Sequence, residues 1–505
     1  MIKHCPIYIY IFILLVAAKG LAVRAQDEGG VDPVLTPITL DEAISIARVN
    51  SVDAAVALNE LRTAYWNYRT YRADLLPEVS FDATIPSYRK SYSSYQLEDG
   101  SYTFVRNNVL EMEAEVGITQ SIWPTGGTLR LSTSLDWVHQ LESGIGSPNR
   151  LMSVPIALTL NQPIFGVNHV RWNRRIEPVR YREAMARFLS ATEEVAMTAV
   201  RHFFNLLMSK VNLSIARQNF DNANRLFEVA EAKYSMGQIS RNDLLQLQLN
   251  ALSAESELTS RQTDYQSAMF GLRAFLSIED ETVNLDPVLP ESVPLSSVVY
   301  SDVLSKALER NSFARSVRRR QLEADYEVAR AVADRRSISL FAQIGYTGTS
   351  SRLASAYDPL RDNQIVEIGF RIPILDWGKR AGKVRVAKSN RDVIESRLRK
   401  ERMDFEQDIF ILVERFNHQR RQLDISLESD SIATRRYDTN VETFMVGRIS
   451  TLDLNDSRVS KDERRRAVVD DMYLCWYYYY QLRSLTLWDY AIDAPLIFDE
   501  SVAKK

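Results

Sequence analysis

The sequence predicts a membrane protein of the mixed α and β class, in which strands that cross a bilayer are followed by very long helices. Three observations lead to this fold class. The chain contains an internal duplication, two of its helical stretches are too long for a compact domain, and its predicted strands alternate between apolar and polar residues over about 10 residues.

Composition narrows the alternatives before any motif is considered. The 505 residues include 62 Lys and Arg against 65 Asp and Glu, a balance that argues against a nucleic-acid partner or an acidic disordered tail. The 18 glycines are too few for arrays of phosphate-binding loops. The longest apolar run, residues 7–18, is shorter than the roughly 20 residues that a spanning helix needs. Composition alone would therefore indicate a soluble protein.

The apolar run lies where a secretory signal peptide is expected. Lys3 and His4 provide a basic start, and small residues at 23–25 precede a cleavage position before Gln26. A short buried helix is the weaker alternative at the extreme N-terminus. We therefore expect residues 1–25 to be a signal peptide. No cysteine lies at the cleavage position, so N-terminal lipidation is not expected.

Internal repeats organise the rest of the chain. Residues 38–50 match residues 298–311, and a sharper match aligns residues 234–248 with residues 444–458. A third match aligns QPIFG from Gln162 with IPILDWG from Ile372. Three matches in the same order favour duplication over chance resemblance. The positions that pair between the copies are Gly237 with Gly447, Ser240 with Ser450, Asp243 with Asp453, and Pro163 with Pro373.

The duplication predicts a first repeat over residues 26–297 and a second over residues 298–505. Each repeat contains a helix, strands, a long helix, a turn and another helix, with strands at about 78–164 and 338–374. The first helix opens at Thr39 with a capping box. The predicted helices are 39–76 with a break near Asn50, 178–235, 242–276, 301–336, 379–446 and 451–487.

The predicted lengths of the two long helices exclude a compact globule. At about 1.5 Å per residue, helix 379–446 would span roughly 100 Å and helix 178–235 roughly 87 Å. Their apolar residues recur at spacings of three and four, which predicts packing against other helices. Two shorter helices stacked end to end could pair with one long helix. An ordinary amphipathic helix is the alternative, and the length disfavours it.

The predicted strands have one apolar and one polar face, with period 2. A half-buried sheet of a soluble protein has the same pattern, so the pattern alone does not decide. The signal peptide, the missing spanning helix and the helix lengths favour a membrane barrel with lipid outside and water inside. The apolar positions are Val79–Ile85, Leu110–Ile118, Leu129–Trp137, Val154–Leu160, Leu340–Tyr346 and Val366–Ile372, taken at alternate residues.

Aromatic residues around the strands agree with a membrane protein. They lie at predicted strand ends or in flanking loops, as an interfacial girdle would require. Residues 89–108 and 138–152 are rich in Ser, Tyr, Gly and Asn, and we expect them to be exposed loops. The aromatic residues are Tyr88, Tyr92, Tyr95, Tyr102, Trp123 and Trp137.

At this point the chain resembles the TolC family of outer-membrane efflux proteins over essentially all of its mature length. The likeness is carried by the paired LDEA-type openings, by QPIF at Gln162, by IPILDWG at Ile372 and by the two Gly-x-x-Ser-x-x-Asp-Leu turns. The resemblance implies a homotrimer with one shared outer-membrane β-barrel, continued by a long periplasmic α-helical coiled-coil barrel. It further implies a passive exit duct in a Gram-negative outer membrane.

The resemblance also implies partners and a gate. The partners would be a periplasmic adaptor, an inner-membrane pump of RND or ABC type, and outer-membrane lipid. The gate would lie at the second helix turn, where Gly447, Asp453 and Asp456 match the family motif and three copies would form a carboxylate ring. In the first turn, Asp243 matches but Gln246 replaces the second acid.

Two departures from the family pattern bear on the gate and on the barrel. Phe444 replaces a characteristic Tyr, and Ile449 replaces a basic residue, which puts the family's polar lock in doubt. Asp453 is alternatively a helix N-terminal acid favoured by the helix dipole. The resemblance implies four strands per chain and 12 in the barrel, whereas an extra hairpin at residues 110–137 would give 18.

No other site emerges from the sequence. The histidines have no metal-ligand spacing, Cys475 has no partner residue, and no catalytic constellation, cofactor or metal site is predicted. We interpret WYYYY at Trp476 as helix packing rather than a stacking surface. The basic runs at Arg315 and Glu463 are interpreted as solvated helix faces. A non-conducting periplasmic coiled-coil scaffold is the alternative function, and substrates cannot be inferred because specificity largely belongs to the pump.

Overall fold

The structure is a computed structural model that describes residues 35–141, 149–280, 283–294, 297–335, 337–371, 375–445, 448–449 and 451–498. The expected signal peptide, Gly447 and Pro373 lie outside these residues.

The first half of the described chain contains six strands and four helices, beginning with a short strand and a broken helix. In chain order they are β1 (Leu35–Ile38), α1 (Leu40–Asn50), α2 (Val52–Ala73), β2 (Glu78–Gln96), β3 (Tyr102–Ile122), β4 (Gly127–Gln140), β5 (Asn149–Pro163), α3 (His169–Ser235), α4 (Arg241–Phe275) and β6 (Asn284–Pro287).

The second half repeats this order with fewer strands. Its elements are α5 (Tyr300–Arg310), α6 (Ser312–Ala333), β7 (Ser337–Ser350), β8 (Arg361–Arg371), α7 (Lys379–Met445), α8 (Thr451–Thr486), β9 (Trp488–Asp489) and β10 (Ala494–Pro495), with one 3₁₀ turn at Leu353–Ser355.

Helix caps explain how each half begins. Thr39 and Glu42 form the predicted capping box at the start of α1. Ser51 has an extended backbone, ends α1 and caps α2, so the predicted break near Asn50 is confirmed. The prediction of one helix over residues 301–336 is wrong, because Asn311 ends α5 in the same way. Its side chain accepts a hydrogen bond from the backbone N–H of Phe313 and starts α6.

The two long helices have equal lengths. Both α3 and α7 contain 67 residues, so each spans roughly 100 Å. The predicted start of the first long helix at Pro178 is wrong, because Asn168 caps α3 and the helix runs through Pro178. The proline removes one intrahelical hydrogen bond. The helix continues because it packs against α2 and α6 over this region.

Each long helix pairs with shorter helices stacked end to end, as expected. Next to the strands, contacting helices follow the order α2, α3, α6 and α7, and toward the helix turns they follow the order α4, α3, α8 and α7. The chain therefore forms a wall four helices wide at both levels. Among the described residues, no helix is both long enough and apolar enough to cross a membrane.

Six strands form one sheet in the order β2-β3-β4-β5-β7-β8, and every neighbouring pair is antiparallel. The hairpin at residues 110–137 therefore belongs to the same sheet as the other strands. The prediction that residues 89–108 form a loop is wrong, because Tyr88–Gln96 pair with Tyr102–Leu110 as a continuation of β2 and β3. Polar side chains on both faces of this segment hid its strand character.

The hydrophobic core lies where the helices of both halves meet. Side chains from α3, α7 and α8 fill it together with α1, α5 and the end of α4. Its large side chains with no exposed surface include Phe203, Leu206, Leu272, Leu276, Ile409 and Leu482. A parallel pair of short strands, β1 and β6, lies beside this core and carries the buried residues Ile38 and Leu285.

Candidate functional site

The register of the sheet places its apolar residues on one face. Val79 pairs with Ile118, Ile118 with Leu131, Leu131 with Leu158, and Leu158 with Ile344. In the single chain, 68% of Val79 and 53% of Ile344 is exposed, Ile118 and Leu131 are also exposed, and Leu158 is half-buried. A row of aliphatic side chains across five strands, most of them uncovered, fits contact with lipid.

The opposite face carries the charged side chains of β2, β3 and β4. Glu115 pairs with Asp82 on one side and Ser134 on the other, and Glu113 pairs with Asp136. These register positions bring four carboxylates onto one face of neighbouring strands. The opposite polarity of the two faces is the pattern of a sheet between lipid and water.

Arg130 organises this polar face. Its Nη2 lies 2.7 Å from Glu115 Oε1 and 3.4 Å from Asp82 Oδ2, and its Nη1 donates to Thr119 Oγ1 at 3.2 Å. Gly117 leaves the space that the guanidinium occupies, since a Cβ there would lie 2.7 Å from Arg130 Nη2. The sequence indicated the alternation but not this ion cluster, whose members are up to 48 residues apart.

Both edges of the sheet lack a partner strand within the described part of the chain. The edges are β2 and β8, which run in opposite directions because the antiparallel sheet has an even number of strands. Unpaired backbone groups at membrane depth are strongly unfavourable, so these edges need strands from other chains.

The two helix turns share one backbone hydrogen bond. Gly237 has a φ of 73°, which favours glycine, and the Gln238 N–H donates to Lys233 O at 2.9 Å. In the second turn the Arg448 N–H donates to Thr443 O at 3.1 Å, which is the equivalent bond. Gly447 lies outside the described residues, so its conformation stays a prediction.

Asp243 has a local partner in the first turn. Its carboxylate accepts hydrogen bonds from Ser240 Oγ at 2.7 Å and from the Ser240 N–H at 3.2 Å, in a capping box at the start of α4. This arrangement gives Asp243 a structural role in starting the helix.

Asp453 and Asp456 both lie near the start of α8 and are exposed. Asp453 is in the first turn, where the helix dipole favours an acid. Asp456 Oδ2 accepts a hydrogen bond from Arg436 Nη2 at 2.8 Å across the α7–α8 hairpin. Arg436 could not be predicted from the sequence, because nothing in the spacing of residues marks a partner across the hairpin. Ile449 is half-buried in this turn.

Pro163 lies where a strand passes toward a long helix, as expected. It is the last residue of β5 and pairs with Ser339 of β7. The next N–H, that of Ile164, donates to Ile338 O at 2.8 Å. The equivalent transition at Pro373 lies outside the described residues.

A buried ion network joins the two halves near the core. Glu193 is 3% exposed, and its carboxylate lies 2.7 Å from Arg48 Nη2 and 2.8 Å from Arg483 Nε. Arg483 also pairs with Asp489 at 2.7 Å. Burial raises the pKa of Glu193, although both guanidinium groups act in the opposite direction.

The structure decides the remaining sequence interpretations. Tyr479 and Tyr480 of WYYYY are buried in the core, which confirms helix packing. The run at Glu463 is exposed, as expected for a solvated helix face, and its Arg465 pairs with Asp430 at 3.1 Å. The interpretation of the run at Arg315 as a solvated face is wrong, because Arg319 is half-buried and pairs with the buried Glu183 of α3 at 2.6 Å.

Among the residues that the structure describes, no group of three or more His, Cys, Asp or Glu is arranged to hold a metal ion.

Comparisons with known proteins agree with this architecture. The sequence matches the family described as "Outer membrane efflux protein" over residues 43–277. No curated protein sequence is significantly similar to the chain.

Solved structures with the same fold cover nearly the whole chain. The Campylobacter jejuni CmeC outer membrane channel is 16% identical with a TM-score of 0.64, covering 92% of this chain and 87% of that one. The outer membrane protein VceC from Vibrio cholerae is 15% identical with a TM-score of 0.60, covering 91% and 97%. The Neisseria gonorrhoeae MtrE outer membrane channel is 14% identical with a TM-score of 0.58, covering 91% of each chain.

Proposed function

Because the chain belongs to the outer membrane efflux protein family, we propose that it is the passive exit duct of a tripartite efflux pump or a type I secretion system. The observation that carries the proposal is the six-stranded sheet, whose apolar face is uncovered and whose opposite face is charged. Helices of roughly 100 Å extend from this sheet and are long enough to reach far into the periplasm. The family is one of transport proteins, and no catalytic role is proposed.

The working assembly in this proposal is a homotrimer. The free edges of β2 and β8 run in opposite directions, so copies of the chain can close an all-antiparallel barrel. With six strands in each chain, three copies give 18 strands rather than 12. The wall of four helices per chain would give 12 helices at each level of the tunnel.

The gate is proposed at the far end of the tunnel, close to Gly237 and Gly447. Exposed carboxylates near the start of α8, Asp453 and Asp456, support this position. Asp243 is proposed as a capping residue at the same end, since its carboxylate already binds the first turn of α4. Repulsion between converging carboxylates would favour cation binding in the narrowest part.

The partners and boundaries are proposals of the same kind. The partners are a periplasmic adaptor and an inner-membrane pump of RND or ABC type. Residues 1–25 are proposed as a signal peptide, with repeats over 26–297 and 298–505. The strand-to-helix transitions at Pro163 and Pro373 would mark the boundary between barrel and tunnel.

Planar-bilayer conductance of the detergent-extracted protein tests the duct and the gate together. We expect single-channel steps from the wild type and block by Mg²⁺ added on the side of the helix turns. The variant with Asp453→Ala and Asp456→Ala should conduct with block by Mg²⁺ weakened at least about tenfold, because the gate carboxylates are gone. Absence of any channel in the wild type would favour the non-conducting scaffold instead.

A matched variant separates gate charge from total charge. Asp404→Ala with Asp408→Ala removes two exposed acids from α7, roughly 60 Å along the helix from the turn. This variant should keep the Mg²⁺ block of the wild type. Equal loss of block in both double variants would refute the gate assignment while leaving the duct intact.

A further inference from the structure

A cleft opens where the sheet meets the helices, between the start of α3 and the end of α6. It has a volume of about 730 Å³ and is lined by the segment from Phe165 to Asn168, by the first two turns of α3 and by residues 329–335. Neither the duct nor the gate uses this cleft.

Cationic side chains dominate the polar lining of the cleft. Arg171, Arg175 and Arg335 line it, and no Asp or Glu is among the described residues that do so. Within the described part of the chain, none of the three guanidinium groups forms an ion pair. Arg175 lies over the ring of Trp172 at 5.5 Å, which holds the guanidinium beside an apolar surface.

The position of these arginines runs against the usual helix rule. The start of a helix carries partial positive charge, so acids are favoured there and bases are not. The first turn of α3 contains no acid and contains Arg171. The helix dipole and the arginines thus act in the same direction, and the arrangement is complementary to an anion.

Helix contacts determine the direction in which the cleft opens. On α3, His169 Nδ1 lies 2.6 Å from the hydroxyl of Tyr326 in α6, and Tyr181 stacks on Tyr68 of α2. At 3.6 residues per turn, these two contact faces are roughly 120° apart, and Arg171 and Arg175 lie on the wider remaining side. In a closed ring of helices the wider side faces outward.

The contacts of α6 also indicate that the cleft opens outward. Tyr326 contacts α3, whereas Arg320 forms an ion pair with Glu401 of α7. These faces are roughly 120° apart, and Val332 lies on the wider side. Val332 lines the cleft and is 48% exposed. The cleft therefore opens to the outside of the ring rather than to its lumen.

The depth of the cleft corresponds to a membrane surface. It begins two residues after the end of β5 and ends two residues before the start of β7. Ile164 and Phe165 beside it are 50% and 56% exposed, so aliphatic chains have an apolar surface to contact. A ligand with an anionic group and acyl chains matches both parts of this surface.

We propose that this cleft binds the phosphate headgroup of an anionic phospholipid in the periplasmic leaflet of the outer membrane. The inference rests on the proposed duct, because the orientation of the cleft depends on closure of the ring. Arg171 and Arg175 bind the phosphate, Arg335 closes the far side, and Ile164 and Phe165 contact the acyl chains. The charge complementarity and the continuity with the lipid-facing side of the sheet favour lipid over a soluble phosphate.

Native mass spectrometry of the full-length protein released from detergent tests the proposal. The probes are dihexanoyl phosphatidylglycerol, which is anionic, and dihexanoyl phosphatidylcholine, which is zwitterionic. We expect one phosphatidylglycerol per chain to be retained with about tenfold preference over phosphatidylcholine. Arg171→Gln with Arg175→Gln should reduce that preference at least about tenfold, since each arginine near anionic lipid contributes about 1 kcal/mol.

Two further variants test whether the lost preference for phosphatidylglycerol is due to the charges of the cleft. Arg217→Gln with Arg225→Gln removes two exposed arginines from the same helix, roughly 70 Å from the cleft, and should leave the preference unchanged. Arg171→Lys with Arg175→Lys keeps the charges and should keep most of the preference. Size-exclusion chromatography and single-channel conductance of each variant show that it assembles.

The outcomes separate this inference from the proposed function. Equal retention of both lipids by a conducting wild type, or an unchanged preference in the Gln variant, would overturn the lipid site and leave the duct standing. Competition by glycerol 3-phosphate at the affinity of phosphatidylglycerol would overturn the choice of lipid in favour of a soluble phosphate. A wild type that never conducts would overturn the duct, and the outward orientation of the cleft would fall with it.

Discussion

Cys475 shows what burial does to a single reactive group. Its side chain lies in the helix core, with Sγ 3.8 Å from Gln419 O. Burial raises the pKa of the Cys475 thiol to about 12, and the nearby Asp471 carboxylate adds to the effect. The thiolate that alkylating reagents require is therefore scarce near neutral pH.

We expect Cys475 to resist iodoacetamide at pH 8 in the folded protein and to react at least about 100-fold faster in urea. Mass spectrometry of the labelled chain gives the result. The unfolded mature chain should carry one label, because Cys5 lies within the expected signal peptide. Two labels per unfolded chain would contradict cleavage after residue 25, and rapid labelling of the folded protein would contradict burial.

The buried network around Arg483 predicts a large effect of one substitution. Replacing Arg483 by Leu leaves Glu193 and Asp489 without their shared partner, and breaking a buried pair costs about 3–5 kcal/mol. Urea unfolding at pH 7.5 should show this loss. Arg464→Leu changes an exposed arginine of the same helix and should cost less than about 1 kcal/mol.

The same variant should respond to pH in a defined direction. A carboxyl group whose pKa is raised by folding holds its proton more tightly in the folded state, so its contribution to stability is present at low pH and lost as pH rises. Arg483→Leu raises the pKa of Glu193 further. The difference between wild type and variant should therefore shrink as pH falls toward 4.5, and a constant difference would contradict Glu193 as the affected group.

Residue roles were predictable where the partner is local. The capping box of Thr39 and Glu42 follows from a spacing of three residues. The partner of Asp456 is 20 residues away, and Glu193, one of the partners of Arg483, is 290 residues away. Sequence spacing contains no information on such pairs, because the packing of separate helices decides them.

At the scale of single elements, the β2–β3 hairpin extends beyond its neighbours. Strand β3 pairs with β4 only from Val109 onward, whereas it pairs with β2 from Tyr102. About seven residue pairs therefore project past the rest of the sheet, a distance of roughly 23 Å. Apart from the Asn108 carbonyl, which accepts a hydrogen bond from the Leu141 N–H at 2.8 Å, the described residues of the projecting part form no pair with β4.

Shortening this hairpin should leave the sheet intact. Replacing residues 91–107 by Asn-Gly leaves Lys90 paired with Asn108 beside the new turn and keeps the pairing of β3 with β4, so we expect the trimer and its conductance to persist. Ala114→Pro is the contrasting variant, because Ala114 pairs with both Ala83 and Leu135 and should disrupt the sheet. Size-exclusion chromatography and conductance distinguish the two, and loss of the trimer in the shortened chain would contradict the prediction.

Element types were more predictable than element ends. Six alternating runs became six strands because a half-lipid surface forces period 2 on the sequence. The hairpin at residues 89–108 was not predicted, because a strand outside the bilayer need not alternate between apolar and polar residues. The start of α3 was predicted wrongly, because Pro178 resembles a helix boundary, whereas packing against neighbouring helices keeps the helix continuous.

The number of strands is a property of the whole molecule. Since the hairpin at residues 110–137 is central in the sheet, we expect an electron cryomicroscopy map of the trimer to contain 18 strands and three projecting hairpins. The helical region of the same map is the internal control, because four helices per chain should give 12 helices in the trimer. A 12-stranded wall with this hairpin outside it would contradict the prediction.

The even number of strands has a consequence for the newly exported chain. A monomer exposes two unpaired strand edges, β2 and β8, and the apolar face of its sheet. No described part of the same chain covers these edges or this face. Such a copy is a target for aggregation and for proteases until others join it. Trimer formation therefore competes with aggregation and proteolysis, and only the closed trimer has all of its strand edges paired.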